Sequence, residues 1–170
     1  IALTNVQLGS TPIVTVNAID PTNPLVFFLV SIGTNGTKER LYRTADGGMT
    51  FVEVLAVADS ITDVLIVDSS TVIVTTVTTG AHSSSDGGQT FAPIASPKLA
   101  CVGKRPDGSL TGCGPNWDPD FMAVGESTDA SRWEKIFRFV ELACPVECPA
   151  GTAQHDMCAV ELWPGLQQQF

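Results

Sequence analysis

The chain has five cysteines, and all of them lie in its last seventy residues. Cys101 and Cys113 stand on either side of Pro106, Asp107 and Gly108, residue types that favour a tight turn between two strands. Thiols on paired strands beside such a turn come within disulfide distance. We therefore expect a Cys101–Cys113 disulfide, a bond that persists in oxidising compartments.

The other three cysteines, Cys144, Cys148 and Cys158, cannot all pair within the chain because their number is odd. We expect Cys158 to bond with either Cys144 or Cys148, which leaves one thiol for a segment that is not part of this chain. The alternative is a zinc site made by the three thiolates and His155, because Zn²⁺ is commonly held by sulfur and nitrogen ligands. Their spacing matches no familiar zinc finger, so the disulfide is the preferred interpretation.

Asp118 and Asp120, in the segment NWDPDF, could supply oxygen ligands to a hard cation such as calcium. Calcium takes about six to eight oxygen ligands, and no EF-hand-like sequence follows these two residues. An acidic surface loop is therefore the preferred interpretation. No cofactor is expected, with calcium as the alternative.

Two segments forty residues apart share the core Asp-Gly-Gly-x-Thr-Phe: LYRTADGGMTFVEV begins at Leu41 and AHSSSDGGQTFAPI begins at Ala81. Glycine supplies the positive φ that a tight loop needs. The carboxylates of Asp46 and Asp86 can accept hydrogen bonds from amides across the turn. We expect both segments to form the same loop between two strands.

Short runs rich in Val, Ile, Phe and Thr surround these turns, and Pro, Asn and Gly separate them, as is typical of strands. The offset of forty residues is close to the period of about 40–45 residues of four-stranded propeller blades. Several runs are apolar at consecutive positions, as expected for strands that are covered on both faces. The sequence therefore predicts an all-β fold, a partial β-propeller of about three four-stranded antiparallel blades with a cysteine-bearing C-terminal tail.

The predicted blades span residues 11–56, 60–95 and 98–139, and the tail spans residues 140–170. The third blade is degenerate. Its segment SRWEKIFRFVEL also has apolar residues at helical spacing, so a helix is the alternative there. Closed propellers need about four to eight blades. Because the chain begins without Met, we expect an N-terminal fragment, or a second chain, to supply the remaining blades.

The repeated turn resembles the Asp-box, or BNR, repeat of sialidases, sortilin-type receptors and related propellers. Two copies match in full, through Thr44, Asp46, Gly48, Thr50, Phe51, Ser84, Asp86, Gly88, Thr90 and Phe91. A third copy is one residue short, with Ser127, Asp129 and Trp133 in place and Ser131 where the family has glycine. Asp-boxes lie between the third and fourth strands of a blade, away from the catalytic face, so the resemblance implies a structural role. A looser resemblance is to the C-terminal part of bacterial secreted Asp-box proteins.

Sialidases hold their substrate with an arginine cluster and use a Tyr nucleophile with a Glu and an Asp. The only tyrosine of this chain, Tyr42, lies in the strand before the first box, where we expect it to pack, and the sialidase arginine motif is missing. The leading prediction is a non-catalytic module that binds protein or glycan. The alternative is a sialidase-like or other glycoside hydrolase whose catalytic residues lie largely in a missing N-terminal part.

The formal net charge of −9 comes from scattered acidic residues, while the nine Lys and Arg residues form no cluster. A nucleic-acid partner is therefore not expected. No apolar run approaches the roughly 18 residues of a membrane-spanning helix, so no span is predicted. Together with the expected disulfide, these features predict a secreted, periplasmic or cell-surface protein.

Overall fold

The computed structural model describes residues 13–32, 38–95, 97–115 and 123–138, and in these ranges the chain forms twelve strands. The strands are β1 (Ile13–Ile19), β2 (Phe27–Ile32), β3 (Glu39–Thr44), β4 (Val52–Val57), β5 (Ile61–Ile66), β6 (Val72–Thr76), β7 (Ala81–Ser84), β8 (Ala92–Pro93), β9 (Cys101–Lys104), β10 (Leu110–Gly114), β11 (Ala123–Ser127) and β12 (Glu134–Arg138).

The strands form three antiparallel sheets, each a four-stranded meander in sequence order. We name them sheet 1 (β1 to β4), sheet 2 (β5 to β8) and sheet 3 (β9 to β12). The predicted all-β architecture of four-stranded antiparallel units is confirmed. The helix considered for the third unit is wrong where the structure describes that segment, because β12 pairs with β11 and places Lys135 opposite Gly125. The backbone hydrogen bonds to the edge of β11 favour a strand here, and they outweigh the helical tendency of the apolar spacing.

Sheets 1 and 2 pack face to face through a shared apolar cluster. Phe28, Val30 and Leu41 come from sheet 1, and Val64, Val72 and Val74 from sheet 2. A second cluster joins sheet 2 to sheet 3, where Ile73 and Ala81 meet Leu99, Val102, Leu110 and Ala130. All five residues of β6 are buried, and its first three side chains alternate between the two clusters. This explains why Val72, Ile73 and Val74 are apolar without alternation.

The Cys101–Cys113 disulfide is present, as predicted. The two residues lie directly opposite each other on β9 and β10, with their Cα atoms 5.1 Å apart. The bond therefore closes the first hairpin of sheet 3 at its open end. Within the described ranges, no helix has the length and apolar character needed to cross a membrane.

Candidate functional site

The turn between β3 and β4 is held by the side chains of Thr44 and Asp46. One oxygen of Asp46, Oδ1, accepts the amides of Met49 and Thr50, each at 2.9 Å, and its Oδ2 accepts the Thr50 hydroxyl at 2.6 Å. The Thr44 hydroxyl donates to Asp46 Oδ1 at 2.7 Å and accepts the amide of Gly48 at 3.0 Å. The Thr44 hydroxyl also accepts the amide of Asp46 at 3.3 Å, so two side chains satisfy four amides of one loop.

The turn between β7 and β8 repeats this arrangement with Ser84 and Asp86. Asp86 accepts the amides of Gln89 and Thr90 at 2.9 and 3.0 Å and the Thr90 hydroxyl at 2.7 Å. The Ser84 hydroxyl accepts the amide of Gly88 at 2.8 Å. In both turns the Thr hydroxyl, followed by the Thr amide, lowers the pKa of the aspartate. Both carboxylates therefore stay ionised at neutral pH.

The aromatic residues that follow the two turns have different surroundings. Phe51 is buried and meets Phe27 edge to face, with ring centroids 5.9 Å apart. Phe91 is half-buried against the cluster between sheets 1 and 2. Each phenylalanine lies immediately before the last strand of its sheet, and its ring packs inward.

The third turn, between β11 and β12, keeps part of this network. Asp129 Oδ1 accepts the amides of Ser131 and Arg132 at 2.9 and 3.0 Å, and the Ser127 hydroxyl accepts the amide of Ala130 at 3.0 Å. The left-handed residue is Ala130, with φ of 65°, and not Ser131, because the turn is one residue shorter. The indole of Trp133 donates to the carbonyl of Ala130 at 3.3 Å.

A second repeated turn joins the first two strands of each sheet. The sequence predicts two of these turns, at Asp20–Pro24 and at Pro106–Gly108, but not the one at Asp68 or their repetition. Asp20, Asp68 and Asp107 each accept the amide and the hydroxyl of the Thr or Ser two positions later, at 2.7–2.9 Å. The pattern Asp-x-Ser/Thr was the available signal, but it is too short to stand out without the sheets. The side-chain hydroxyl, then the amide, lowers the pKa of each of these aspartates.

The two kinds of turn contact each other at one edge of the sheets. The amide of Gly47 donates to the carbonyl of Leu25 at 3.0 Å in sheet 1. In sheet 2 the amide of Gly87 donates to the carbonyl of Ser70 at 2.7 Å. These backbone bonds tie the first and last hairpins together within sheet 1 and within sheet 2.

A cleft of about 260 Å³ opens between sheets 1 and 2 at this edge, and we call it the interblade cleft. Its polar lining consists of Asp20, Thr22, Asn23, Arg43, Asp68 and Ser69. Its apolar lining consists of Val26, Phe28, Ile66 and Val72. The guanidinium of Arg43 crosses from sheet 1 to sheet 2, where its Nε donates to the carbonyl of Gly87 at 2.8 Å.

Tyr42 is fully buried, in agreement with its expected packing role. Its hydroxyl is 3.5 Å from Glu53, which also pairs with Arg40. His82, the histidine before the second turn, has a buried Nδ1 without a hydrogen-bond partner in the described part of the chain, and burial lowers its pKa.

The other candidate residues, Asp118, Asp120, Cys144, Cys148 and Cys158, lie outside the described residues. Inside the described ranges, no group of three or more His, Cys, Asp or Glu side chains is arranged to hold a metal ion.

No protein-family model and no curated protein matches the chain. Among solved structures, it is similar to the GH74 xyloglucanase from Xanthomonas campestris, with 22% identity and a TM-score of 0.52 over 81% of this chain and 23% of that enzyme. A match to the GH74 enzyme of Niastella koreensis has 20% identity and a TM-score of 0.39, and it covers 72% of this chain and 30% of that one.

The match to the xyloglucanase shows the fold: the three sheets are blades of a β-propeller. Closed propellers contain about four to eight such blades, so the chain contains part of a propeller. It spans less than a quarter of the length of the xyloglucanase that it matches.

Proposed function

We propose that the chain is a non-catalytic propeller module that binds glycan. The observation that carries this proposal is the interblade cleft, where hydrogen-bond donors and acceptors from two blades converge beside apolar side chains. A few placed polar groups on a partly apolar concave surface are typical of small-molecule sites. The solved structure with a similar fold is a GH74 xyloglucanase, which supports a glycan as the ligand class.

The carboxyl groups of the site favour binding over catalysis. A glycosidase needs a general acid with a raised pKa next to a second carboxylate. In the described turns, the pKa is lowered for seven aspartates: Asp20, Asp46, Asp59, Asp68, Asp86, Asp107 and Asp129. Such groups remain ionised and accept hydrogen bonds, but they do not donate protons to a leaving group.

A glycan array followed by an activity assay tests this proposal. We expect retention of one class of glycan and no sugar release from the retained glycan over a long incubation. Release of sugar would favour the alternative, a sialidase-like or other glycoside hydrolase. An array without any bound glycan, together with a protein captured through the same cleft, would favour a protein ligand.

We also propose that the three turns belong to the Asp-box class and stabilise the blades. Their support is the shared network of a hydroxyl and a carboxylate that accept amides across each turn. The role is structural because bonds within the turn occupy both carboxylate oxygens of Asp46 and Asp86 and Oδ1 of Asp129. Substitution of these aspartates should lower the melting temperature more than it lowers the affinity for ligand.

The remaining blades of the propeller are proposed to come from an N-terminal segment or from a second copy. The first strand supports this, because its side chains Ile13, Val16 and Ile19 are more than half exposed. Exposed apolar side chains of this kind are typical of a surface that another segment covers. Light scattering should show a species larger than one 17.9 kDa chain, or a co-purifying fragment. A stable, monodisperse single chain would contradict this.

The disulfide supports a secreted, periplasmic or cell-surface location, because disulfides persist in oxidising compartments. Fractionation of cells that express the full-length protein should recover it outside the cytoplasm. Alkylation of both cysteines without prior reduction would contradict this location.

A further inference from the structure

We propose that the interblade cleft binds one uncharged sugar unit, with Arg43 as the residue that orients it. This inference rests on the proposed glycan-binding function and names the site and the ligand class. The cleft is the meeting point of turns from two blades, so its shape exists only when sheets 1 and 2 are stacked.

The carboxylates of the cleft keep one oxygen available for a ligand. Asp20 and Asp68 use Oδ1 to hold their own turns, through Thr22 and Asn23 in one case and Ser70 and Thr71 in the other. In the described ranges, Oδ2 of either residue has no hydrogen-bond partner. Each turn thus fixes a carboxylate whose other oxygen can still accept a hydrogen bond.

Arg43 supplies the donors. Its Nε is committed to the carbonyl of Gly87, which fixes the plane of the guanidinium, and no carboxylate of the described residues forms an ion pair with it. The two Nη groups therefore remain as donors in a fixed orientation.

The interblade cleft contains both negative and positive side chains, and this combination favours an uncharged ligand. An anionic ligand would face the carboxylates of Asp20 and Asp68, and an amine would face the guanidinium of Arg43. Hydroxyl groups both donate and accept, so an uncharged polyol satisfies both kinds of group at once. The half-buried side chains of Val26 and Ile66 offer an apolar wall for the C–H face of a sugar ring. The cleft volume of about 260 Å³ lies below the range of about 300–1,000 Å³ for drug-sized ligands, so the cleft has room for a single sugar unit.

The neighbouring pair of blades shows that stacking does not require this arginine. The register of β6 and β7 places Ser83 of sheet 2 where Arg43 stands in sheet 1. Between sheets 2 and 3 the gap is instead bridged by Lys104, whose Nζ donates to the carbonyl of Val67 at 2.6 Å. Arg43 therefore belongs to this one cleft and not to the blade repeat.

The test uses the ¹⁵N-labelled chain and the NMR signal of the Arg43 Nε–H group, titrated with methyl glycosides of glucose, galactose, mannose and xylose. We expect at least one of them to shift this signal in a saturable manner. Glucuronate and glucosamine are expected to bind at least about tenfold more weakly. Tighter binding of either charged sugar would overturn the assignment to uncharged units.

Two substitutions locate the site. Arg43→Ser copies the residue of sheet 2, and Arg43→Lys keeps the charge without the planar fork, so it serves if the serine variant does not fold. Because both variants lack the Arg43 Nε–H signal, their dissociation constants are measured by isothermal titration calorimetry, and both are expected to rise about tenfold or more. The matched control is Arg105→Ser, which removes an exposed arginine of sheet 3.

The outcomes separate this inference from the proposed function. If glycans bind with unchanged affinity in both Arg43 variants, the module binds glycan elsewhere and the cleft assignment is wrong. If neither the array nor the titration detects any glycan, the proposed function itself fails. Loss of binding in the Arg43 variants with retention in Arg105→Ser supports both.

Discussion

The turn between the third and fourth strands reverses the chain in all three sheets, but in sheet 3 it is one residue shorter than in sheets 1 and 2. In the first two, an aspartate reaches the amide and the hydroxyl of a Thr four positions later. In the third, Asp129 accepts the amides of Ser131 and Arg132, and the residue four positions later is Trp133, which has no hydroxyl. The Ser or Thr hydroxyl two positions before the aspartate is kept in all three.

The three turns share the groups that reverse the chain and differ in the groups that add stability. A hydroxyl and a carboxylate that accept amides are enough to reverse the chain, even where an alanine must adopt φ of 65°. The glycines and the Thr make the reversal less strained and add a hydrogen bond. The shorter turn belongs to the sheet that also has the disulfide, which stabilises the same sheet by another route.

Replacement of Gly88 by alanine should have the largest effect. Its φ is 80°, and an added Cβ would lie 2.3 Å from Cζ of Phe28, a buried ring of the neighbouring blade. Left-handed strain and overpacking together should destabilise the fold by about 3–4 kcal/mol.

The matched control for this substitution is Gly48→Ala in the equivalent turn. There the added Cβ would lie 3.1 Å from Phe27 of the same sheet, so strain dominates and about 1–2 kcal/mol is expected. Urea denaturation measures both variants. Equal losses would show that the contact with the neighbouring blade does not distinguish the two turns.

Removal of the disulfide should have the next largest effect, and it should act on sheet 3. The bond spans a sequence separation of 12 residues, so the double variant Cys101→Ser/Cys113→Ser should lose about 3 kcal/mol of unfolding free energy. Hydrogen exchange should show faster exchange in β9 and β10 than in β6. Unchanged protection of sheet 3 would mean that the third turn and its core contacts suffice.

Replacement of the turn aspartates tests the comparison directly. We expect Asp86→Ala to lower the melting temperature by several degrees and Asp129→Ala to lower it less, because Asp86 also accepts the Thr90 hydroxyl. Differential scanning calorimetry measures both. The variant Thr90→Ala should reduce the difference between the two turns. A larger loss in Asp129→Ala would mean that the short turn depends more on its carboxylate.

Acid titration should distinguish the same aspartates by a smaller effect. The amide of Arg132, followed by that of Ser131, lowers the pKa of Asp129 to about 2. The pKa of Asp86 is lowered more strongly.

Because the folded pKa lies below the unfolded value of 3.8, each aspartate stabilises the fold above that pH. The contribution is lost as the pH falls from there through the folded pKa. NMR titration of the carboxyl carbons should show Asp129 gaining its proton before Asp86. The reverse order would contradict the difference in bonding between the two turns.

The smallest effect is expected for Ala130→Gly. Glycine relieves left-handed strain of about 1–2 kcal/mol, but the methyl group of Ala130 is buried in the cluster between sheets 2 and 3 and its loss costs about 0.8 kcal/mol. We expect a net stabilisation of up to about 1 kcal/mol by urea denaturation. A clear destabilisation would show that packing, and not backbone strain, dominates at this position.

The sequence by itself determined the features that depend on neighbouring residues. The side-chain hydrogen bonds that hold the turns at Asp46 and Asp86 span no more than four residues, so the local sequence predicts the geometry of these turns. The strands between them follow from β-branched and aromatic runs, and the Cys101–Cys113 bond follows from a turn that both residues flank. These predictions need no knowledge of what lies beside each sheet.

Only the tertiary structure decided what depends on residues far apart in the chain. It showed that Glu134–Arg138 is a strand, because the edge of β11 was available to pair with it. It also brought Arg43 to Gly87, and with them the turns of Asp20 and Asp68, into one cleft. Those residues are separated by tens of positions, and their meeting depends on how one sheet stacks on the next. Local propensity carries no information about that stacking, since it follows from the burial of side chains on both faces of β6.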